Sequence, residues 1–137
     1  MKLILDNNVW ITFLLGRKLD LLRVIITKED VSVHVCEELI GEFVDVVNRP
    51  KIRKDISAKD IDDTMEFMQV YCCYHEITTH AVSDVRDVDD LYLLSLAETI
   101  DADYIVTGDK DLLTLGEHGG TKIIRISELK ELLNLSS

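Results

Sequence analysis

The sequence predicts an α/β domain with a mostly parallel sheet. Apolar runs of strand length alternate with longer stretches in which apolar residues recur at helical spacing. Three of these runs are continuously apolar, as is typical of strands covered by helices on both faces. The 137 residues, 47% of them hydrophobic, suffice for one core, and no linker or internal repeat divides them. We therefore expect a single domain over residues 1–137.

The strands are predicted first. Four runs have strand character: "KLILD" (2–6), "VSVHV" (31–35), "DYIVT" (103–107) and "KIIRI" (122–126). A weaker fifth strand is expected within residues 74–80. "GEHGG" (116–120) lacks the pattern of a phosphate-binding loop and is interpreted as a turn.

Helices are predicted between the strands. Apolar spacing favours helices over residues 8–15, 18–27, 36–48, 58–72, 89–100 and 128–134. Ser57 and Ser127 are predicted N-caps, since a serine hydroxyl accepts a hydrogen bond from the first turn of a helix. "KDLLTL" predicts one more short helix, capped by Asp109.

Charge limits the possible partners. The chain has 26 Asp and Glu against 15 Lys and Arg, a formal net charge of −11, which argues against general attraction to DNA or anionic membranes. Three cysteines without metal-site spacing predict reduced, buried thiols, and the four histidines share no metal-ligand spacing either. The N-terminal apolar run is too short for a signal peptide, so we expect a cytoplasmic protein without a membrane segment.

Two acids follow strands. Asp6 ends the first strand and Asp109 comes just after "DYIVT". Ligands of parallel sheets bind beyond the carboxyl ends of the strands, so Asp6 and Asp109 would face each other if these strands are neighbours. The alternative is that each acid caps the helix that follows it.

Two further acids are placed by helical phase. Glu42 lies about 40° beyond Val46, at the border of the apolar stripe on its helix. Asp90 falls within the apolar arc of the helix over 89–100, although a first-turn role in the helix dipole, a cap shared with Asp87, or Asp89 in its place remain open. Four converging carboxylates need a counter-charge, and oxygen ligands suit Mg²⁺ or Mn²⁺.

These residues resemble a known family. "LILDNNVWI", "ELIGEFVDVVNRPKI" and "DVRDVDDLYLLSLAETIDADYIVTGDKDLL" are similar to the successive signatures of PIN-domain proteins, particularly the ribonuclease toxins of prokaryotic toxin–antitoxin pairs. The resemblance runs from residue 3 to about 126. It implies a PIN-like three-layer α/β/α sandwich around a parallel sheet of about five strands, and metal-dependent cleavage of RNA.

The resemblance also implies a site. Its catalytic and metal-binding acids are Asp6, Glu42, Asp90 and Asp109, with Asp111 as an auxiliary metal ligand and Asn8 and Thr107 lining the pocket. The implied partners are an RNA substrate, a cognate antitoxin and a second copy of the chain. Three positions depart from the family pattern without removing a main acid: Asn7, Val88 and Leu91.

A local basic segment would let RNA bind despite the net negative charge of the chain. Arg49, Lys51 and Arg53 follow the helix that carries Glu42 and would contact phosphates, although a solvated loop is the alternative. Lys110 would contact the scissile phosphate or offset repulsion between Asp109 and Asp111. The preferred hypothesis is an Mg²⁺- or Mn²⁺-dependent endoribonuclease toxin. The alternatives are a non-catalytic PIN-like binding module and, fitting least, a receiver or phosphatase-like domain.

Overall fold

The computed structural model describes residues 1–16, 18–83 and 90–135, and its central feature is a mostly parallel sheet. Six strands lie in the order β3-β2-β1-β4-β6-β5, with all neighbours parallel except β5 and β6. Their bounds are β1 Lys2–Leu5, β2 Ser32–Val35, β3 Cys73–Tyr74, β4 Tyr104–Val106, β5 Glu117–His118 and β6 Thr121–Ile124. The predicted α/β class is confirmed.

Helices cover both faces of the sheet. Successive side chains of a strand point to opposite faces, yet Leu3, Ile4 and Leu5 are all fully buried. The helices in the described ranges are α1 Asn7–Leu15, α2 Leu19–Ile26, α3 Glu37–Val47, α4 Pro50–Arg53, α5 Ala58–Tyr71, α6 Leu91–Ile100, α7 Lys110–Leu115 and α8 Ile126–Leu132. The result is the expected three-layer sandwich.

Most predicted elements are present, with ends shifted by one or two residues. The fifth strand is β3, which overlaps the predicted 74–80 segment only at Tyr74. "GEHGG" forms more than a turn, because β5 pairs antiparallel with β6 around Gly119 and Gly120. The φ of Gly119 is 59°, a conformation that favours glycine, so this position permits the tight connection.

The last helix corrects a predicted cap. Ser57 caps α5 as predicted, accepting from the backbone N–H of Asp60 at 3.0 Å. Ser127 is not an N-cap, because α8 already begins at Ile126 and the side chain of Glu128 accepts from the backbone N–H of Arg125. The strand β6 ends at Ile124, two residues earlier than predicted.

Two further predictions concern residues near the sheet edge and the start of α6. All three cysteines are free, as predicted, but Cys73 is exposed because β3 is an edge strand. The helix predicted over 89–100 is described from Leu91, with Asp90 at its N-cap position and without a side-chain capping hydrogen bond. Asp87 and Asp89, the open alternatives to Asp90, lie outside the described residues, as does Val88.

The core joins α1 to α5. Trp10 is fully buried on α1, and its ring meets Phe67 of α5 edge to face, with 6.5 Å between centroids and 71° between planes. Across the described part of the chain, every helix is too short or too polar to cross a membrane.

A buried histidine contacts a second histidine beside β2. His34 Nδ1 lies 2.7 Å from His75 Nε2, and His34 Nε2 lies 2.8 Å from Ser32 Oγ. Burial, together with the nearby charges of His75, Lys2 and the N-terminal amine, lowers the pKa of His34 to about 4. Protonation of His34 therefore opposes folding.

This pair predicts a pH-dependent stability. The pKa of His34 is about 4 in the folded chain, against an ordinary 6.5. The contribution of neutral His34 to the free energy of unfolding is therefore complete above pH 6.5 and is lost as the pH falls towards 4. At pH 5 the loss should be about 2 kcal/mol. Urea unfolding at several pH values should show a shallower pH dependence for His34→Gln than for the wild type. His80→Gln, at an exposed position, is the control; parallel curves for all three proteins would contradict the prediction.

Candidate active site

The candidate site lies where β1 and β4 end. These strands are parallel neighbours, with Leu5 paired to Val106, so the residues that follow them emerge at one edge of the sheet. The backbone N–H of Asp6 donates to the carbonyl of Val106 at 2.9 Å, which continues the pairing into the site. The predicted meeting of the two strand ends is confirmed.

Asp6 is the most enclosed acid at this edge. Its side chain is buried, with the residue 5% exposed. One carboxylate oxygen, Oδ1, accepts from the backbone N–H of Asn7 at 2.7 Å. The other, Oδ2, accepts from Thr107 Oγ1 at 2.7 Å and from Asn8 Nδ2 at 3.0 Å. Asp6 thus also holds the N-cap position of α1, one of the alternatives raised by the sequence.

Thr107 and Asn8 connect Asp6 to the loop after β4. The backbone N–H of Asp109 donates to Thr107 Oγ1 at 3.0 Å, and the backbone N–H of Gly108 donates to Asn8 Oδ1 at 3.2 Å. Thr107 is buried, so its hydroxyl is held in place between the two acids. Asn8 and Thr107 therefore hold the Asp6 carboxylate and the Gly108–Asp109 backbone together.

Asp109 caps α7 while facing the same site. Its Oδ1 accepts from the backbone N–H of Asp111 at 2.7 Å and, more weakly, from that of Leu112 at 3.5 Å. Asp111 is half-buried in the first turn of α7, whereas Lys110 is exposed. Capping uses a single carboxylate oxygen of Asp109, so the capping and ligand interpretations are compatible.

Two neighbouring carboxylates influence the electrostatics of Asp6. Burial is the largest cause of its raised pKa, and the nearby charges of Glu42 and Asp109 raise the pKa further. The hydrogen bonds from Thr107 and from the Asn7 backbone oppose this rise because they favour the ionised form. An ionised Asp6 would therefore be stabilised by a cation.

Glu42 and Asp90 meet in an adjacent cavity. Glu42 is half-buried on α3, at the border of the apolar stripe as its helical phase predicts, and Asp90 is 9% exposed at the start of α6. Both line a cavity of about 570 Å³, together with Arg49 and Tyr92. The inward orientation predicted for Asp90 is confirmed.

Tyr92 and Asn7 were not predicted as site residues. Burial and the carboxylates of Glu42 and Asp6 raise the pKa of the Tyr92 phenol, so the hydroxyl stays protonated beside these acids. Asn7 Nδ2 donates to the backbone carbonyl of Leu39 at 3.2 Å and lies 3.5 Å from Tyr92 Oη. Asn7, noted in the sequence only as a departure from the family, thus ties α1 to the helix carrying Glu42.

The predicted basic residues do not form a single patch. Arg49 lies with the acids in the cavity of Glu42 and Asp90. Arg53 Nη1 donates to the backbone carbonyl of Ile56, just after the short helix α4, which the sequence did not predict. Lys51 is exposed on α4. Of the three, Arg49 alone lines the cavity that Glu42 and Asp90 share.

The side chains suit Mg²⁺ or Mn²⁺ in donor chemistry. All candidate ligands are oxygens, and mutual repulsion among Asp6, Glu42 and Asp109 favours a bound cation. Within residues 1–16, 18–83 and 90–135, however, no three His, Cys, Asp or Glu side chains are grouped to hold one metal ion. This arrangement suits an ion bound by one or two carboxylates that keeps several waters, as Mg²⁺ does.

Comparison with solved structures reveals a similar fold. The crystal structure of VapBC2 from Rickettsia felis, bound to a DNA fragment from its promoter, has a chain that superposes with a TM-score of 0.56. The similarity covers 91% of this chain and 98% of that chain, at 10% sequence identity. Curated protein sequences contain no match.

Comparison with protein families identifies the chain. The sequence model described as the PIN domain matches residues 2–111, a span that includes Asp6, Glu42, Asp90 and Asp109. The match covers well over half of the 137 residues. The resemblance noted in the sequence is confirmed: the chain belongs to the PIN domain family.

Proposed function

We propose that this chain is an Mg²⁺- or Mn²⁺-dependent endoribonuclease and the toxin of a toxin–antitoxin pair. The observation that carries the proposal is the buried Asp6, with the carboxylates of Glu42 and Asp109 near enough to raise its pKa. Membership of the PIN domain family supports a nuclease, and the similar fold in the VapBC2 complex supports an antitoxin partner. A homodimer is part of the same proposal, and an RNA substrate implies action in the cytoplasm.

The reaction is hydrolysis of an RNA phosphodiester. A water oxygen attacks phosphorus, the bond from phosphorus to the ribose 3′ oxygen breaks, and that oxygen takes up a proton. The products are a 3′-hydroxyl and a 5′-phosphate. A bound divalent ion would lower the pKa of the attacking water and neutralise the charge on the phosphate oxygens.

The residues of the chain divide the work of holding and orienting. One or two ions would be ligated by Asp6, Asp90 and Asp109, each ion by one or two of these carboxylates, with Glu42 helping directly or through water and Asp111 as an auxiliary. Thr107 and Asn8 fix the Asp6 carboxylate by hydrogen bonds of 2.7 and 3.0 Å. Arg49, Lys51, Arg53 and Lys110 are proposed phosphate contacts. Tyr92, which stays protonated, can donate a hydrogen bond to Glu42 or to substrate.

A non-catalytic PIN-like binding module is the second candidate. It is favoured by one observation: among the residues that the structure describes, no three potential ligand side chains are grouped around one point. A receiver domain is excluded by family membership, and Asn7 and Asn8 stand where a receiver would place a further acid. A cleavage assay separates the first two candidates.

Metal-dependent cutting is the first test. The purified chain should cleave single-stranded RNA with Mg²⁺ or Mn²⁺ and stop in EDTA, leaving 5′-phosphate ends because water is the nucleophile. Asp6→Asn and Asp90→Asn should each reduce the rate by about 100-fold or more. Asp62→Asn, at an exposed position on α5, is the matched control. Products ending in a 2′,3′-cyclic phosphate would contradict this mechanism.

Asp6→Asn should lose cleavage activity without losing thermal stability. A carboxyl whose pKa is raised by folding costs stability once it ionises, so Asp6→Asn should melt at the wild-type temperature or slightly higher in EDTA. Mg²⁺ should raise the melting temperature of the wild type but not of Asp6→Asn, because ligands stabilise only the form they bind. Thermal unfolding with and without Mg²⁺ measures both effects. A marked fall for Asp6→Asn in EDTA would instead indicate that the Asp6 carboxylate mainly stabilises the fold, through the hydrogen bonds that it accepts from Thr107 and Asn8.

Asp109→Asn and Asp111→Asn should reduce cleavage activity to different extents. An asparagine at residue 109 retains an oxygen that can cap α7, so Asp109→Asn removes charge with little loss of the helix and should abolish most activity. Asp111→Asn should lose less cleavage activity, and added Mn²⁺ should restore part of the lost activity. The reason is that Asp111 only increases the negative potential near the ion. Cleavage rates over a Mn²⁺ titration give the comparison. Equal losses without rescue would refute the auxiliary role of Asp111.

A further inference from the structure

A second pocket, lined in part by Asn8 and Thr107, carries three cationic side chains. A cavity of about 380 Å³ is lined by Lys18, between α1 and α2, by Arg125, just before α8, and by Lys130, in the last turn of α8. We call these three residues and their cavity the cationic pocket. Building on the proposed nuclease function, we propose that the cationic pocket binds the nucleotide of single-stranded RNA that adjoins the scissile phosphate.

The charge of this pocket contrasts with the rest of the molecule. None of its described lining residues is acidic. The cavities lined by Lys54, by Arg23, by His118 and by Arg49 each include at least two acidic residues. In a chain of net charge −11, the cationic pocket therefore offers a polyanion a favourable place next to the site.

The three cations are available to an anion. Among described residues, the ion pair within 4 Å joins His118 to Glu98 and does not involve the cationic pocket. Lys18 and Arg125 are exposed, and Lys130 is half-buried. Arginine binds phosphate oxygens through two parallel N–H groups, and lysine binds them as a point charge.

The pocket is joined directly to the acid cluster. Asn8 and Thr107 line it, and the same two side chains donate to Asp6 Oδ2 at 3.0 and 2.7 Å. A phosphate beside Asp6 and a phosphate on the cationic pocket would thus belong to neighbouring positions of one strand. The geometry supports a flanking nucleotide in this pocket, with the cleaved bond at Asp6.

The remaining lining suits a ribose or a base. Val9, Phe13 and Ile126 form apolar wall, while Thr12 and Ser127 provide hydroxyl groups. A cavity of about 380 Å³ is within the usual range of small-molecule sites. Backbone contacts with few directed polar groups position a strand and give modest sequence preference.

Binding of a labelled oligoribonucleotide in the Asp6→Asn background tests the pocket without cleavage. The triple variant Lys18→Gln, Arg125→Gln, Lys130→Gln should weaken binding about 10-fold at 0.15 M salt. Its plot of log affinity against log salt should be shallower by about 2, because each phosphate contact on single strands contributes about 0.7. The matched control is Lys28→Gln, Lys59→Gln, Lys122→Gln, which removes equal charge outside the pocket. Thermal unfolding verifies that both triple variants are folded.

The same substitutions in the active chain separate this proposal from the nuclease function. The pocket variant should raise KM with kcat within about threefold, because it loses substrate binding and keeps the acids. If the wild type fails to cut RNA but the pocket variant alone loses binding, the nuclease function fails, while binding of single-stranded RNA by the cationic pocket stands. If the wild type cuts and both triple variants bind alike, the pocket proposal is overturned. Absence of RNA binding by the Asp6→Asn chain also overturns it.

Discussion

The burial of one carboxylate at the end of β1 is the constraint on which the site depends. Asp6 is 5% exposed and must be compensated inside the protein, since desolvation disfavours its charge. Thr107 supplies the shortest side-chain hydrogen bond, and it can do so only because β1 and β4 are parallel neighbours. The pairing of the apolar strands β1 and β4 therefore creates the environment of Asp6, which follows β1 and belongs to neither strand.

The same residues organise the fold and the proposed chemistry. Asp6 caps α1 and Asp109 caps α7, so each acid begins a helix while its carboxylate faces the sheet edge. Asn7 extends this arrangement to α3 through the carbonyl of Leu39. Asp6 and Asp109 can each cap a helix and also serve the proposed site, because a carboxylate has more acceptor positions than a cap uses.

Charge is divided across this edge of the sheet. Glu42 and Asp90 share one cavity, and Lys18, Arg125 and Lys130 line another, with Asn8 and Thr107 beside the latter and bonded to Asp6. The division gives the RNA that we propose as substrate a cationic place on a chain with 26 acidic residues. Acidic surface elsewhere disfavours nonspecific binding and is complementary to a basic protein partner.

The sequence by itself determined the α/β class, most elements, and the positions of Asp6, Glu42 and Asp90, because strand runs, helical phase and strand ends are local patterns. It misplaced the cap at Ser127 and did not indicate the hairpin of β5, both of which depend on contacts with neighbouring residues. Only the tertiary structure brought Tyr92 to Glu42, Asn7 to Leu39, and Lys18 to Arg125 and Lys130. These contacts join residues far apart in the chain, and their distances depend on how the helices pack on the sheet, which no local pattern encodes.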